Sequence, residues 1–216
     1  MVGEGVGGSA ALIGVLALQG GFEAHTRTLR RLGAEVREVR TPADLDGLQG
    51  LVIPGGESTT MTLGIEREGL AEPLRELLGR GSADADAGGD ASNGASGSSV
   101  PVLGSCAGLI MLDRDHLGLM DMRAERNAFG RQAKSFEADV EVRGLSGGPV
   151  RGVFIRAPWI AEHGPAVEIL AEVGGHPVAA RQGRMLAVAF HAELTDEERI
   201  HRLFLDSVAT GPRTIS

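Results

Sequence analysis

Short unbroken apolar runs alternate with amphipathic stretches along the first half of the chain. Residues 12–18, Leu-Ile-Gly-Val-Leu-Ala-Leu, carry no polar side chain and read as a buried strand. Residues 22–32 repeat apolar positions at helical spacing and stop at Gly33, which suits a helix C-terminus. A second strand is expected at residues 35–39 and a third at Leu51-Val52-Ile53, which ends in Pro54-Gly55-Gly56. Helical pattern then covers residues 59–78, with breaks expected near Gly69 and Pro73. Another apolar run, Val100-Pro101-Val102-Leu103, leads into a glycine-flanked turn. Strand alternating with helix predicts an α/β fold, with a mostly parallel central sheet covered by helices on both faces.

The second half is richer in strand pattern, at residues 136–142, 152–155, 167–173, 178–181 and 185–190. A closing helix is expected over residues 197–208, with Thr195 or Asp196 as its N-cap. Residues 81–99 stand apart, because they contain only Gly, Ser, Ala, Asp and Asn. Such a segment buries too little surface to offset its ordering entropy and reads as a disordered surface loop. The expectation is one domain over residues 1–216 that tolerates this insertion.

Composition narrows the function. A net charge of −8 argues against nucleic acid or an anionic membrane as partner. A single cysteine rules out an intrachain disulfide and fits a reducing, cytoplasmic setting. The apolar stretch near the start lacks a basic flank and is too short to span a bilayer. No metal-ligand spacing appears among the six histidines, and no metal or cofactor is expected.

That one cysteine lies in Gly104-Ser105-Cys106-Ala107-Gly108. The pattern is that of a nucleophile elbow, in which a strand ends, the chain turns sharply and a helix begins at the nucleophile. Backbone N–H groups at a helix start favour a thiolate. A free cysteine is otherwise a small buried hydrophobe, and a lone His-x-Glu is ordinary surface chemistry. Together they make a nucleophile, a base and an orienting acid at strand ends, because Ala187-Val188-Ala189-Phe190 runs into His191-Ala192-Glu193. The spacing puts His191 and Glu193 on one side of an extended chain end. Glu193 can then hold one imidazole nitrogen while the other faces sulfur. In a parallel sheet the active site lies at the carboxyl ends of the strands, where Gly55-Gly56, Cys106 and His191 all fall.

These residues resemble the class I, triad-type glutamine amidotransferases. Within that group the chain is similar to the glutaminase subunits of pyridoxal phosphate synthases. The resemblance rests on residues 14–20 (Gly-Val-Leu-Ala-Leu-Gln-Gly), 54–61 (Pro-Gly-Gly-Glu-Ser-Thr-Thr-Met) and 106–110 (Cys-Ala-Gly-Leu-Ile). It continues at 126–132 (Arg-Asn-Ala-Phe-Gly-Arg-Gln), 135–137 (Ser-Phe-Glu), 154–158 (Phe-Ile-Arg-Ala-Pro) and 191–195. The 54–61 and 126–132 segments are the specific ones. One departure stands inside a motif: Ala192 replaces the family's usual proline between the catalytic histidine and glutamate.

The resemblance implies a three-layer α/β fold and hydrolysis of L-glutamine to L-glutamate and ammonia by Cys106, His191 and Glu193. It implies glutamine contacts at Gly55, Gly56, Glu57, Arg126, Ile155 and Arg156, and oxyanion donors at the N–H groups of Ala107 and Gly56. A carboxylate such as Glu57 suits the substrate ammonium, and a guanidinium such as Arg126 or Arg156 suits its carboxylate. Glycine at 55 and 56 permits the positive φ that aiming an N–H into the pocket can require. The implied partner is the barrel-shaped synthase subunit, in a multimeric complex that makes pyridoxal 5'-phosphate. Two alternatives remain at this point: a triad glutaminase serving another biosynthetic synthase, and a docking subunit without turnover.

Overall fold

The computed structural model describes residues 10–79, 100–126 and 135–210. The 81–99 insertion and residues 127–132 of the arginine-led motif lie outside the described residues. Among the described residues, eleven strands and five α-helices follow in the order β1 (Leu12–Leu16), α1 (Phe22–Arg31), β2 (Glu35–Val39), β3 (Gly50–Ile53), α2 (Ser58–Arg67), α3 (Ala71–Gly79), β4 (Val102–Ser105), α4 (Ala107–Leu112), β5 (Met122–Glu125), β6 (Ser135–Val140), β7 (Val150–Ile155), β8 (Trp159–His163), β9 (Glu168–Val173), β10 (His176–Gln182), β11 (Met185–Val188) and α5 (Arg199–Ala209).

Seven strands form the central sheet in the order β2-β1-β3-β4-β11-β10-β9. Its first five strands pair in parallel, and the β11–β10 and β10–β9 pairings are antiparallel, so β10 alone runs against the rest of this sheet. The change of direction comes from tight hairpins. Between β9 and β10 the turn is Gly174-Gly175, both at positive φ (60° and 78°), the pairing of dihedrals that a two-residue hairpin demands. Right-handed crossovers put α1, which leads from β1 outward to β2, on one face, and α2, α3 and α4 on the other. On the first face α5 returns beside α1, where His25 and His201 meet. The ladders β5–β8 and β6–β7 form separate two-stranded sheets, and Trp159 of β8 stacks on His176 of β10 (3.6 Å between ring centroids).

The central strands β3 and β4 are buried at every position, which is why they read as continuous apolar runs rather than alternating ones. Core packing continues through α4, all six of whose residues are buried.

The structure corrects several boundaries. The 59–78 pattern divides into two helices at Gly69 (φ 67°), as expected, but Pro73 sits in the first turn of α3 and breaks nothing. The N-cap of α5 is Glu198, not Thr195 or Asp196. Thr195 Oγ1 instead accepts from the Glu197 N–H (3.2 Å), and the Glu197 carboxylate accepts from the Arg199 N–H (2.9 Å). Strands β5 and β8 lack a signal in the apolar pattern, since β5 is Met-Arg-Ala-Glu and β8 is exposed at three of five positions.

The turn that carries Cys106 depends on two close approaches. A Cβ on Gly108 would stand 1.9 Å from the Ile53 carbonyl oxygen, and one on Gly104 would stand 2.6 Å from the Gly108 carbonyl oxygen. Both obstacles are backbone, so neither can swing aside. Gly108→Ala is therefore expected to destabilise the protein by about 3 kcal/mol or more, as overpacking against an immobile neighbour does. Urea unfolding measures this, and a loss below about 0.5 kcal/mol, the usual range for innocuous surface changes, would contradict the packing described.

Candidate active site

The sheet order sets the ends of β1, β3, β4 and β11 side by side, and the chain leaving each one contributes to a single site. From β4 comes Cys106, at φ 49° and ψ −105°. Among the described residues only Cys106 and Arg156 (φ 44°) are non-glycine residues at positive φ, and both border the same cavity. Strained backbone of this kind persists only where the surroundings hold it. Here the Cys106 N–H donates to the Val188 carbonyl (2.8 Å), while its own carbonyl accepts from Leu109 (3.1 Å).

From β3 comes the Gly55-Gly56 turn. A Cβ on Gly55 would meet His191 Cε1 at 2.3 Å and Cys106 Cβ at 3.2 Å. Glycine is needed there to leave room for the imidazole, not to reach a positive φ as the sequence suggested. Gly56 (φ 157°) is closed in by the Gln19 amide, whose nitrogen would lie 2.5 Å from an added Cβ. Gln19, on the chain leaving β1, clamps this turn through two hydrogen bonds. Its Nε2 donates to the Glu57 carbonyl (3.0 Å), and its Oε1 accepts from the Glu57 N–H (3.2 Å).

From β11 comes His191, tied by its N–H to the Val153 carbonyl of β7 (2.8 Å). Residues 192–194 form a short 3₁₀ turn, so the segment is not the extended end that the spacing suggested. The turn nevertheless delivers the Glu193 carboxylate to His191 Nδ1 at 2.7 Å. On its other side the imidazole faces Cys106 across Gly55, while Cys106 Sγ reaches towards the Ile155 carbonyl at 4.0 Å. Burial works against the imidazolium, but the bonds and charges of Cys106 and Glu193 outweigh it and raise His191 to about 10. Burial pushes Glu193 upward too, yet the facing imidazoles of His25 and His191 leave it below its ordinary value.

A cavity of ≈ 290 Å³ opens beside this pair, lined by Gly56, Glu57, Cys106, Ala107, Arg126, Ile155, Arg156 and His191, with Ser58, Ile110 and Pro158. Its size suits one amino acid rather than a polymer. Every candidate contact drawn from the sequence borders it except Gly55, which underlies the imidazole, and Glu193, which is buried behind it. Glu57 has a second task. Its carboxylate caps α2, accepting from the N–H groups of Thr59 (3.1 Å) and Thr60 (2.7 Å) and from Thr60 Oγ1 (2.8 Å). These bonds hold it at about 2. Arg126 pairs with the same carboxylate at 3.2 Å.

Three further side chains escape the sequence reading. His25 of α1, Ser105 of β4 and His201 of α5 are fully buried behind Glu193. The available signal was a polar residue on the core-facing side of each helix, beside Leu29 in α1 and Phe204 in α5. Among the described residues no group of three or more His, Cys, Asp or Glu could hold a metal ion, and no helix is long and apolar enough to cross a membrane.

Comparison with known proteins agrees with this fold. The model of the SNO glutamine amidotransferase family matches residues 15–87 and 89–210. A Mycolicibacterium vanbaalenii protein described as pyridoxal 5'-phosphate synthase subunit PdxT is 48% identical, covering 93% of this chain and all of the relative. A Geobacillus kaustophilus protein of the same description is 47% identical over 91% of this chain and 94% of its own. A crystal structure of a glutamine amidotransferase superposes with a TM-score of 0.79 at 42% identity, covering 92% of this chain and 99% of that one. The structure of PurLQS from Thermotoga maritima shares the fold at 15% identity, with a TM-score of 0.67 over 93% of this chain and all of the matched one.

The electrostatics of the site set a pH dependence. His191 carries a raised pKa, so its pairing contributes stability that is complete below its ordinary 6.5 and lost as pH climbs through about 10. His201 is held down to about 3 by burial, so stability is lost on the acid side, as pH falls from 6.5 towards 3. Unfolding free energies from urea titrations should peak near pH 6.5, with slopes up to about 1.4 kcal/mol per pH unit for each histidine. A level profile from 6.5 to 10 would contradict the raised His191 value. Ala192 occupies the first position of the 3₁₀ turn, where the fixed φ of proline is tolerated. Ala192→Pro is expected to leave turnover and stability nearly unchanged, and a collapse in turnover in the folded variant would show that this turn cannot accept the ring.

Proposed function

The chain belongs to the SNO glutamine amidotransferase family, and we propose that it hydrolyses L-glutamine through Cys106, His191 and Glu193 to feed ammonia to a pyridoxal 5'-phosphate synthase. The observation that carries the reading is one imidazole held between a strained cysteine and a buried carboxylate, at the wall of a cavity of amino-acid size.

In this reading glutamine lies with its side-chain amide carbon against Cys106. His191 takes the thiol proton, or holds it in a thiolate–imidazolium pair, while Glu193 orients the ring. Sulfur attacks the amide carbon, a C–S bond forms, and the carbonyl π electrons move to oxygen. The N–H groups of Ala107 and Gly56 are the proposed donors to that oxyanion. As the tetrahedral species collapses, the C–N bond breaks and His191 gives its proton to the departing nitrogen, releasing ammonia. Neutral His191 then takes a proton from water, whose oxygen attacks the thioester. Sulfur leaves, and glutamate is the second product. Glu193 keeps the imidazole in the tautomer and orientation that both steps need.

The substrate's charged end is assigned to Glu57, Arg126 and Arg156. The Glu57–Arg126 pair offers one charge of each sign, so a zwitterionic amino acid can exchange an intramolecular pairing for two of its own. Gly55, Gly56 and Ile155 complete the contacts, and no cofactor enters the chemistry.

Ammonia released into neutral water is protonated and lost as a nucleophile, so direct transfer to an acceptor has a chemical reason. Relatives at 47–48% identity are described as pyridoxal 5'-phosphate synthase subunits, which supports that acceptor here. The partner would be the barrel-shaped synthase subunit in a multimeric complex. The setting would be cytoplasmic, where a catalytic thiol stays reduced. We read residues 1–216 as one amidotransferase domain.

Cys106→Ala and His191→Asn are each expected to lower glutamate release by more than about 10³-fold with the fold intact. Substantial residual turnover in Cys106→Ala would remove the triad. The protein alone should be a weak glutaminase, because the oxyanion donor at Gly56 belongs to a turn whose peptide orientation a docked partner can set. Glutamate release with and without saturating synthase tests this, and equal turnover would contradict partner activation.

A further inference from the structure

His25 is a buried titratable group that does not line the cavity, yet it faces the triad from behind. Three elements converge on its ring: Glu193 Oε2 at 3.3 Å from the 3₁₀ turn, Ser105 Oγ at 3.0 Å from β4, and His201 Nε2 at 2.9 Å from α5. The charged groups in its surroundings are Glu193 and, beyond it, His191; Arg31 acts on the His201 end.

The proton positions follow from the carboxylate. Burial disfavours the charged form of both His25 and His201, so each ring carries one proton. Were that proton on His25 Nδ1, the Nε2 lone pair would face the negative Glu193 across 3.3 Å. The His201 ring would also have to leave a buried N–H unpaired at Nδ1, which has no hydrogen-bond partner. The opposite arrangement avoids both penalties. His201 Nε2–H donates to His25 Nδ1, and His25 Nε2–H is presented to Ser105 Oγ and Glu193 Oε2. Glu193 Oε2 accepts no hydrogen bond of good geometry, so this N–H is the dipole that answers its charge.

We infer that His25 is a positioning residue for the triad: its Nε2–H fixes the outer oxygen of Glu193, so that the inner oxygen stays on His191 Nδ1. The inference rests on the triad reading above, which Cys106→Ala tests without involving His25. It also links α1 and α5, neither of which borders the cavity, to the state of the catalytic imidazole.

Two near-isosteric variants separate positioning from filling of space. In His25→Gln the amide nitrogen reaches the place of Nε2 and restores a donor towards Glu193. In His25→Asn the amide ends at the place of Nδ1 and restores only the contact with His201. With synthase present, His25→Asn is expected to lose about 10–100-fold in kcat, the range for removing a partner that orients a catalytic ligand, with KM nearly unchanged. The acid limb of its kcat/KM profile should move to higher pH, because Glu193 becomes easier to protonate. His25→Gln should recover most of kcat and the original profile. Equal losses in both variants with an unshifted profile would overturn the proposal in favour of simple packing. A second measurement needs no variant. Nitrogen-15 spectra of histidine-labelled protein should show the His25 proton on Nε2 at neutral pH, and a proton on Nδ1 would overturn the assignment.

Discussion

Cys106 sits at φ 49° and ψ −105°, a backbone region that a residue with a Cβ enters only when its neighbours leave no alternative. The constraint is local and made of backbone: α4 is pressed so close to β3 that Gly108 lies against the Ile53 carbonyl. That approach turns the chain sharply at residue 106 and points the sulfur out of the sheet beside the end of β11. It also dictates the flanking sequence, since Gly104 and Gly108 cannot carry a side chain. The same logic extends to Gly55, whose missing side chain is the space that the His191 ring occupies. Parallel pairing of β3, β4 and β11 then brings three separate loops into contact without a long connection.

Behind the nucleophile lies a buried carboxylate answered on both sides by imidazoles. Glu193 raises His191 and is itself lowered, while His25 and His201 are depressed by burial. A buried charge of this kind survives only with partners, and here the partners also serve the chemistry. Such a site is expected to lose stability at both pH extremes, because one histidine gains a proton on folding while others are kept from theirs.

Much of this was legible in the chain, and the reasons differ by element. Central strands betray themselves because both faces are buried, so Val102 and Leu103 or Leu51 to Ile53 show no polar interruption. Cys106 and His191 stand out because each follows such a strand directly. The extended reading of residues 191–193 failed because spacing of two residues brings side chains together in a 3₁₀ turn as well as in a strand. His25 and His201 were invisible as a pair since 176 residues separate them, and only the packing of α1 on α5 joins them. Gln19 ends an apolar strand, but nothing in its neighbours announces that its amide pairs with the Glu57 backbone. Glu57 was legible as a charge in a motif; its role as the α2 cap depends on where the helix starts.

The central claim is that Cys106 attacks an amide carbon presented by glutamine in this cavity. A diazoketone analogue of glutamine, which alkylates a nucleophile where the amide would react, tests it most directly. Peptide mass spectrometry of the protein in complex with the synthase should find one adduct, on Cys106, formed in step with loss of turnover and blocked by excess glutamine. Inactivation with Cys106 unmodified, or labelling that glutamine does not slow, would contradict the account.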